Sequence, residues 1–162
     1  DYDGPAYMRL GRLAVDTVTD TVAGYRFELG RGATLQDGSD VTIIAVGMMV
    51  QMALKAAQLL AQEGISARVI DMHTIKPLDE ALVLKAAQET GAIVTTEEAN
   101  VLGGLGAAVC EYLCGVCPVP VIRHGVQDVF GRSGKAQKVL EAYGLTPERI
   151  ADAARRAVAC KK

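Results

Sequence analysis

The chain has 162 residues, half of them hydrophobic, with 4% aromatics, no tryptophan and a formal net charge of −2. That length suits one domain with a real core, and so small a charge gives no electrostatic footprint for nucleic acid or an anionic membrane. No apolar run approaches the roughly 20 residues that span a bilayer, the start Asp1-Tyr2-Asp3-Gly4-Pro5 is polar where a signal peptide is apolar, and four cysteines are too sparse for a disulfide scaffold; a soluble, cytoplasmic domain with no nucleic-acid or membrane partner is expected.

The chain opens on Asp rather than Met, and its first twelve residues read as the end of a preceding unit, so a fragment or processed product is expected. Pro5-Ala6-Tyr7-Met8-Arg9-Leu10-Gly11-Arg12 is a short β-like run ending in arginine. Residues 13–24 show neither a helical nor a strand face and read as a linker. The expected division is therefore a tail plus linker over 1–24 and a domain over 25–162. Tyr25 to Thr34 is expected to form a strand, which the turn Gln36-Asp37-Gly38-Ser39-Asp40 reverses into a second one, Val41-Thr42-Ile43-Ile44-Ala45-Val46. After Gly47, residues Met49, Ala53, Ala56, Ala57 and Leu60 recur at helical spacing, with Gln51, Lys55, Gln58 and Gln62 opposite, and Gly64 stops the helix.

The next strand is Ala67 to Asp71. A helix follows Pro77-Leu78-Asp79, with Leu82, Ala86 and Ala87 inward and Gly91 at its end. Ala92 to Thr96 is a strand running into Glu97-Glu98. Gly103, Gly104 and Gly106 then open a helix through about Cys114. Val119 to Arg123 is the last strand, and Pro120 places it at an edge or early in the ladder. Two helices close the chain, one with Ser133 as the expected N-cap and one with Thr146 as N-cap and Pro147 at the first helical position. Strands separated by single helices pair in parallel through right-handed crossovers, giving a three-layer α/β/α sandwich with the extra early strand antiparallel.

Four features invite chemistry. Gly103-Gly104-Leu105-Gly106 lies between a strand and a helix, where free N–H groups hold phosphates. It follows a late strand with the wrong spacing for a dinucleotide fingerprint, so a tight turn and close helix–sheet packing are the expected role. Cys110, Cys114 and Cys117 have a C-x3-C-x2-C spacing able to supply thiolates to an iron–sulfur cluster. Their surroundings are helical, and the three fall on one face with Leu113, so burial as small core residues is the expected role. His73 and His124 each lie just beyond the carboxyl end of a predicted strand and are expected to be polar loop residues, with Glu97-Glu98 a solvated strand end. Arg12 differs, because a guanidinium there can fork onto a phosphate as Lys cannot.

Taken together, the motifs resemble one family. Asp71-Met72-His73-Thr74-Ile75-Lys76-Pro77-Leu78-Asp79, Thr96-Glu97-Glu98 ahead of Gly103-Gly104-Leu105-Gly106, and Asp128-Val129-Phe130-Gly131-Arg132-Ser133-Gly134 occur in order as in transketolase C-terminal domains. The opening Gly4-Pro5-Ala6-Tyr7-Met8-Arg9-Leu10-Gly11-Arg12 resembles the tail of the pyrimidine-binding domain that precedes them. The resemblance implies a five-stranded mixed sheet, mostly parallel with one antiparallel strand. It implies an enzyme of the pentose phosphate type that moves two-carbon ketol units between sugar phosphates with thiamine diphosphate and Mg2+. Those cofactors would be bound by upstream domains or an N-terminal subunit, so this chain alone is expected to be inactive and to support a homodimer. Arg12 is the one residue the resemblance assigns, to the sugar-phosphate substrate; Arg9 is its neighbour on the other face of the run. The competing resemblances are to 1-deoxyxylulose-5-phosphate synthase, which prefers Tyr-Pro-Arg-Gly where this chain has Leu10-Gly11-Arg12-Leu13, and to the β subunit of 2-oxoacid dehydrogenases. A stand-alone dimerisation or regulatory module is the non-catalytic alternative.

Overall fold

The computed structural model describes residues 2–161. Strands Val41–Ala45 (β2) and Ala67–Asp71 (β3) are buried at every position, and Ile93–Asn100 (β4) over its first five residues. Strands covered on both faces read as apolar runs rather than alternations, which is how β2 reads in the sequence. Ala33–Gln36 (β1) and Val121–Val126 (β5) take the edges of a five-stranded sheet ordered β1-β3-β2-β4-β5. Only β1 is antiparallel, paired with β3; the other neighbours run parallel.

Helices Met49–Gln62 (α1) and Pro147–Ala159 (α5) cover one face, where Ile43, Val69 and Val94 meet Ala53, Ala57, Ala153 and Ala154. Helices Glu80–Thr90 (α2) and Leu105–Val116 (α3) cover the other, with Ile44, Ile70 and Ile93 against Val83, Ala86 and Val109. The short helix Ala136–Ala142 (α4) adds Leu140 to the first layer. Alanine on the helices lets them lie close to a sheet of branched residues. The architecture is the three-layer α/β/α sandwich with a mixed five-stranded sheet that the pattern predicted.

Punctuation follows the sequence closely. The carboxylate of Asp79 caps α2 by accepting from the Leu82 N–H at 3.0 Å, and Gly91 at φ 66° closes the helix. Asp79 also accepts from the Gly32 N–H at 3.0 Å, and a Cβ on Gly32 would stand 2.8 Å from Leu82. Residues 30–32 are thus wedged against the start of α2, and this is why β1 begins at Ala33 instead of Tyr25. Thr146 precedes α5 with Pro147 at its first position, as expected, but its hydroxyl makes no cap bond to the helix backbone. Ser133 is not an N-cap: α4 starts at Ala136 behind Lys135, and no side chain caps it. The run Pro5–Arg12 finds no strand partner and stays irregular.

Candidate functional site

From β2 the chain crosses to β3 on one side; β4, the strand after it, returns to the opposite side of β2. In open α/β sheets such a switch of direction opens a crevice at the carboxyl ends of the strands, where ligands bind. Here residues 9–13 lie across that crevice as a strap. Beneath it is a cavity of about 460 Å³ lined by Met48 after β2, Glu98 of β4, Val126 of β5, and Leu140, Tyr143 and Leu145 around α4. Arg9, Leu10, Gly11, Arg12 and Leu13 form its outer wall.

The two arginines of the strap are used differently. The Arg9 guanidinium pairs with the Glu98 carboxylate at 2.8 Å and reaches the Glu98 carbonyl at 3.5 Å. Arg12 is exposed at the cavity mouth and makes no ion pair among the described residues.

Glu97 corrects the expectation of a solvated strand end. It is 2% exposed, and its two oxygens accept from the N–H groups of Leu105 and Gly106 at 3.0 and 2.9 Å. A carboxylate here satisfies two orphan donors of α3 and sits at the positive end of its dipole. A Cβ on Gly104 would overlap this carboxylate, and one on Gly106 would come within 2.7 Å of Thr95 Oγ1. The glycines therefore serve close packing, as expected, and the N–H groups that would have cradled a phosphate already hold Glu97. Strand alternation carried the signal: Glu97 shares a face with Ile93 and Thr95, under α3.

The histidines split. His124 lies inside β5, not beyond it, and is largely buried. Its Nδ1 lies 2.9 Å from Thr96 Oγ1 and its Nε2 3.0 Å from the Gly144 carbonyl, so the ring ties two strands to the α4–α5 turn. With a carbonyl accepting at Nε2, the neutral ring donates there and accepts from the Thr96 hydroxyl. Burial pushes its pKa below the ordinary value, against the opposing hydrogen bond to Gly144. His73 remains in the loop after β3, bonded to Thr74 Oγ1 at 3.0 Å and with Phe27 4.7 Å away, ring to ring. Beside it, burial raises the Asp71 carboxyl, and the nearby His73 opposes this.

The cysteines do not share the buried face of α3. That face is Leu105, Gly106, Val109 and Leu113; Cys114 is exposed, Cys110 is half-buried, and Cys117, just past the helix end, packs half-buried against the core. No group of three potential ligands is placed to hold a metal ion among the described residues. A second, larger cleft of about 830 Å³ opens at the amino-terminal edge of the sheet. Its buried cation, Arg68, is taken by Asp37 at 2.9 Å and Glu89 at 2.7 Å.

With this geometry in view, the comparisons with known proteins are decisive for the family. Residues 30–150 match the family described as transketolase, C-terminal domain. The chain belongs to the transketolase C-terminal domain family. Over 156 residues it is 47% identical to a 6-deoxy-6-sulfo-D-fructose transketolase subunit of a Clostridium species, covering 94% of this chain and 47% of that one. It is 42% identical over 154 residues to a 1-deoxy-D-xylulose-5-phosphate synthase of Symbiobacterium thermophilum, covering 94% of this chain and 24% of that one. A solved split gene transketolase, an inactive beta4 tetramer, superimposes with a TM-score of 0.93 at 48% identity, over 99% of this chain and 52% of that chain. The chain thus spans about half the length of the transketolase subunit it matches and a quarter of the synthase.

Proposed function

We propose that this chain is the C-terminal part of a transketolase that transfers two-carbon ketol units between sugar phosphates, and that Arg12 receives the anionic end of the substrate. The observation carrying this reading is the pairing of an exposed arginine, at the mouth of the switch-point crevice, with near-complete coverage by a transketolase subunit at 47% identity. The rest of the assembly is upstream transketolase domains or an N-terminal subunit, and the whole is a cytoplasmic homodimer. Residues 1–24 belong to the end of that upstream unit, and 25–162 form the domain proper.

Thiamine diphosphate and Mg2+ supply the carbanion chemistry in such enzymes, and this chain's own residues do not fit them. Among the described residues the glycine-rich start of α3 is filled by Glu97, leaving no cradle there for a diphosphate. The cofactors therefore belong to the partner domains, and the chain alone has no ketol-transfer activity.

The test uses the complete assembly with thiamine diphosphate and Mg2+. Ketol transfer from xylulose 5-phosphate to ribose 5-phosphate is expected. Losing one charge-assisted hydrogen bond costs about 1.5–3 kcal/mol, so Arg12→Ala should raise KM for phosphorylated sugars roughly 10- to 150-fold while leaving kcat within a few-fold. A second reading, favoured by the 42% identity to the synthase, is condensation of pyruvate with glyceraldehyde 3-phosphate. Activity in that reaction alone would replace the transketolase reading.

A further inference from the structure

None of the four cysteines is buried, although free cysteine is among the residue types most often found in the interior. Three of them lie on α3 and at its cap, and packing does not account for the three together. At about 100° per residue, and measured from Leu113 of the buried face, Cys117 and Cys110 stand some 40° and 60° to one side and Cys114 about 100°. The stripe thus climbs the flank of the helix from the edge of the core into solvent. Reactivity, more than packing, is what such cysteines have to offer.

Cys114 and Cys117 are one turn apart where the helix stops. The Cys117 N–H still donates to the Leu113 carbonyl at 3.0 Å, so its Cα keeps a helical position, about 5 Å from that of Cys114 by helix geometry. Disulfides accept Cα separations of about 4.4–6.8 Å. On a regular helix the two Cβ atoms at this spacing lie about 5–6 Å apart, farther than the roughly 4 Å a disulfide takes, so one of the two residues must be able to turn. Cys117 can: its φ of −157° and ψ of 76° are already outside the helix, and the next residue, Pro118, has no N–H with which to continue it. Cys110 and Cys114 both sit in regular helix, and joining them would break α3. Burial also raises the pKa of the Cys110 thiol; Arg123 opposes this, and Cys114 and Glu111 add to it, so little thiolate forms there.

We infer that Cys114 and Cys117 form a reversible disulfide pair, a modification site for small disulfides of the glutathione class. Exposure sets the order of events. The Cys114 thiolate attacks one sulfur of oxidised glutathione, forming a mixed disulfide and releasing the first glutathione thiolate. The half-buried Cys117 then gives up its proton and attacks the Cys114 sulfur, releasing the second. The chain loses two electrons and two protons, and the reagent gains both electrons and leaves as two thiols. The pair lies at the amino-terminal edge of the sheet, ahead of β5, whereas the crevice under the strap is at the carboxyl edge. The site therefore stands apart from the substrate reading of Arg12.

The test equilibrates the reduced native chain in mixtures of reduced and oxidised glutathione, followed by acid quenching, alkylation and cleavage after Glu111, which parts Cys110 from the other two. Mass spectrometry should find the peptide with Cys114 and Cys117 lacking two hydrogens and carrying no glutathione. With the ratio of the two glutathione forms held fixed, diluting both tenfold should raise the proportion of linked to reduced pair about tenfold, because closure releases two thiols. Cys160, exposed at the end of α5 on the other face of the sheet, should take one glutathione to an extent that dilution does not change. Cys117→Ser should retain glutathione on Cys114, Cys114→Ser should leave Cys117 unmodified over the time in which the native chain closes, and Cys110→Ser should close like the native chain. Glutathione retained on Cys114 of the native chain, a link from Cys110 to Cys114, no reaction at Cys114, or a linked fraction unmoved by dilution would each overturn the inference. These deciding readouts are made on the native chain and do not depend on how any variant folds.

Discussion

Glu97 and Glu98 are neighbours in sequence and belong to two different regimes of the molecule. Glu97 faces α3 and is locked by two backbone donors in the interior. Glu98 faces the opposite side, at the wall of the cavity, and holds the strap through a half-exposed arginine. The register of β4 against β5 is irregular between Thr96 and Asn100, and bulges of this kind re-aim side chains at the ends of strands. One carboxylate therefore joins the sheet to its helix, and the next one holds Arg9 of the strap. The same contrast runs through the chain at large: the central strands are covered on both faces, while residues 5–13 stand mostly in solvent.

The contrast can be broken most directly by volume. Ile44 is fully buried between α2 and its neighbouring strands, so Ile44→Ala should cost about 2–5 kcal/mol in chemical denaturation. Leu10 is 80% exposed on the strap, and Leu10→Ala should move stability by no more than about 0.5 kcal/mol. Comparable losses at the two positions would mean that the strap is part of the cooperative core. The acid pair gives a finer version. Glu97→Ala leaves two donors of α3 without their partner, an expected loss of about 1–3 kcal/mol by thermal or urea melts. Glu98→Gln should cost at most about 1 kcal/mol by the same assay, as for other exposed pairs. A reversed order would mean that the domain depends on its strap more than on the start of α3.

The sheet was legible in the sequence because its strands are short, β-branched and separated by helices of clear periodicity. Val41 to Ala45 and Ala67 to Asp71 fall where the apolar runs place them. The early strand was misplaced because Tyr25 to Leu29 has strand-like composition, whereas the contact that delays β1 is made by Gly30 and Gly32 against Pro77, Leu82 and Asp79, some fifty residues away. No local pattern carries that information. The cysteine stripe failed for a related reason: a helical face is visible in sequence, but its rotation about the axis is set by which residues the sheet accepts, and here those are Val109 and Leu113. Arg12 was singled out by residue type and by resemblance to the family. The Arg9–Glu98 pair was missed, since an ion pair between positions 9 and 98 has no sequence signature.

His124 offers the subtlest test, because it joins the two regimes: its ring ties β4 to the turn that leads into α5. Burial lowers its pKa in the folded chain below the ordinary 6.5. Over the interval between the folded and ordinary values, the unfolded chain binds more protons than the folded one, so stability must rise with pH there. The contribution is therefore intact above about pH 6.5 and is lost progressively as the pH falls toward the folded pKa. Asp71 works in the opposite sense in a lower window, since its raised carboxyl pKa makes the fold gain stability as the pH falls toward the ordinary carboxylate value. Urea midpoints measured from pH 7.5 down to 5 should decline in the native chain, and less steeply in His124→Asn, which has no ionisable ring. The α4–α5 turn should loosen first, seen as faster exchange at Gly144 and Leu145 at the acid end. A decline of equal slope in both proteins would assign the acid sensitivity to groups other than His124 and leave the join between sheet and turn independent of its charge.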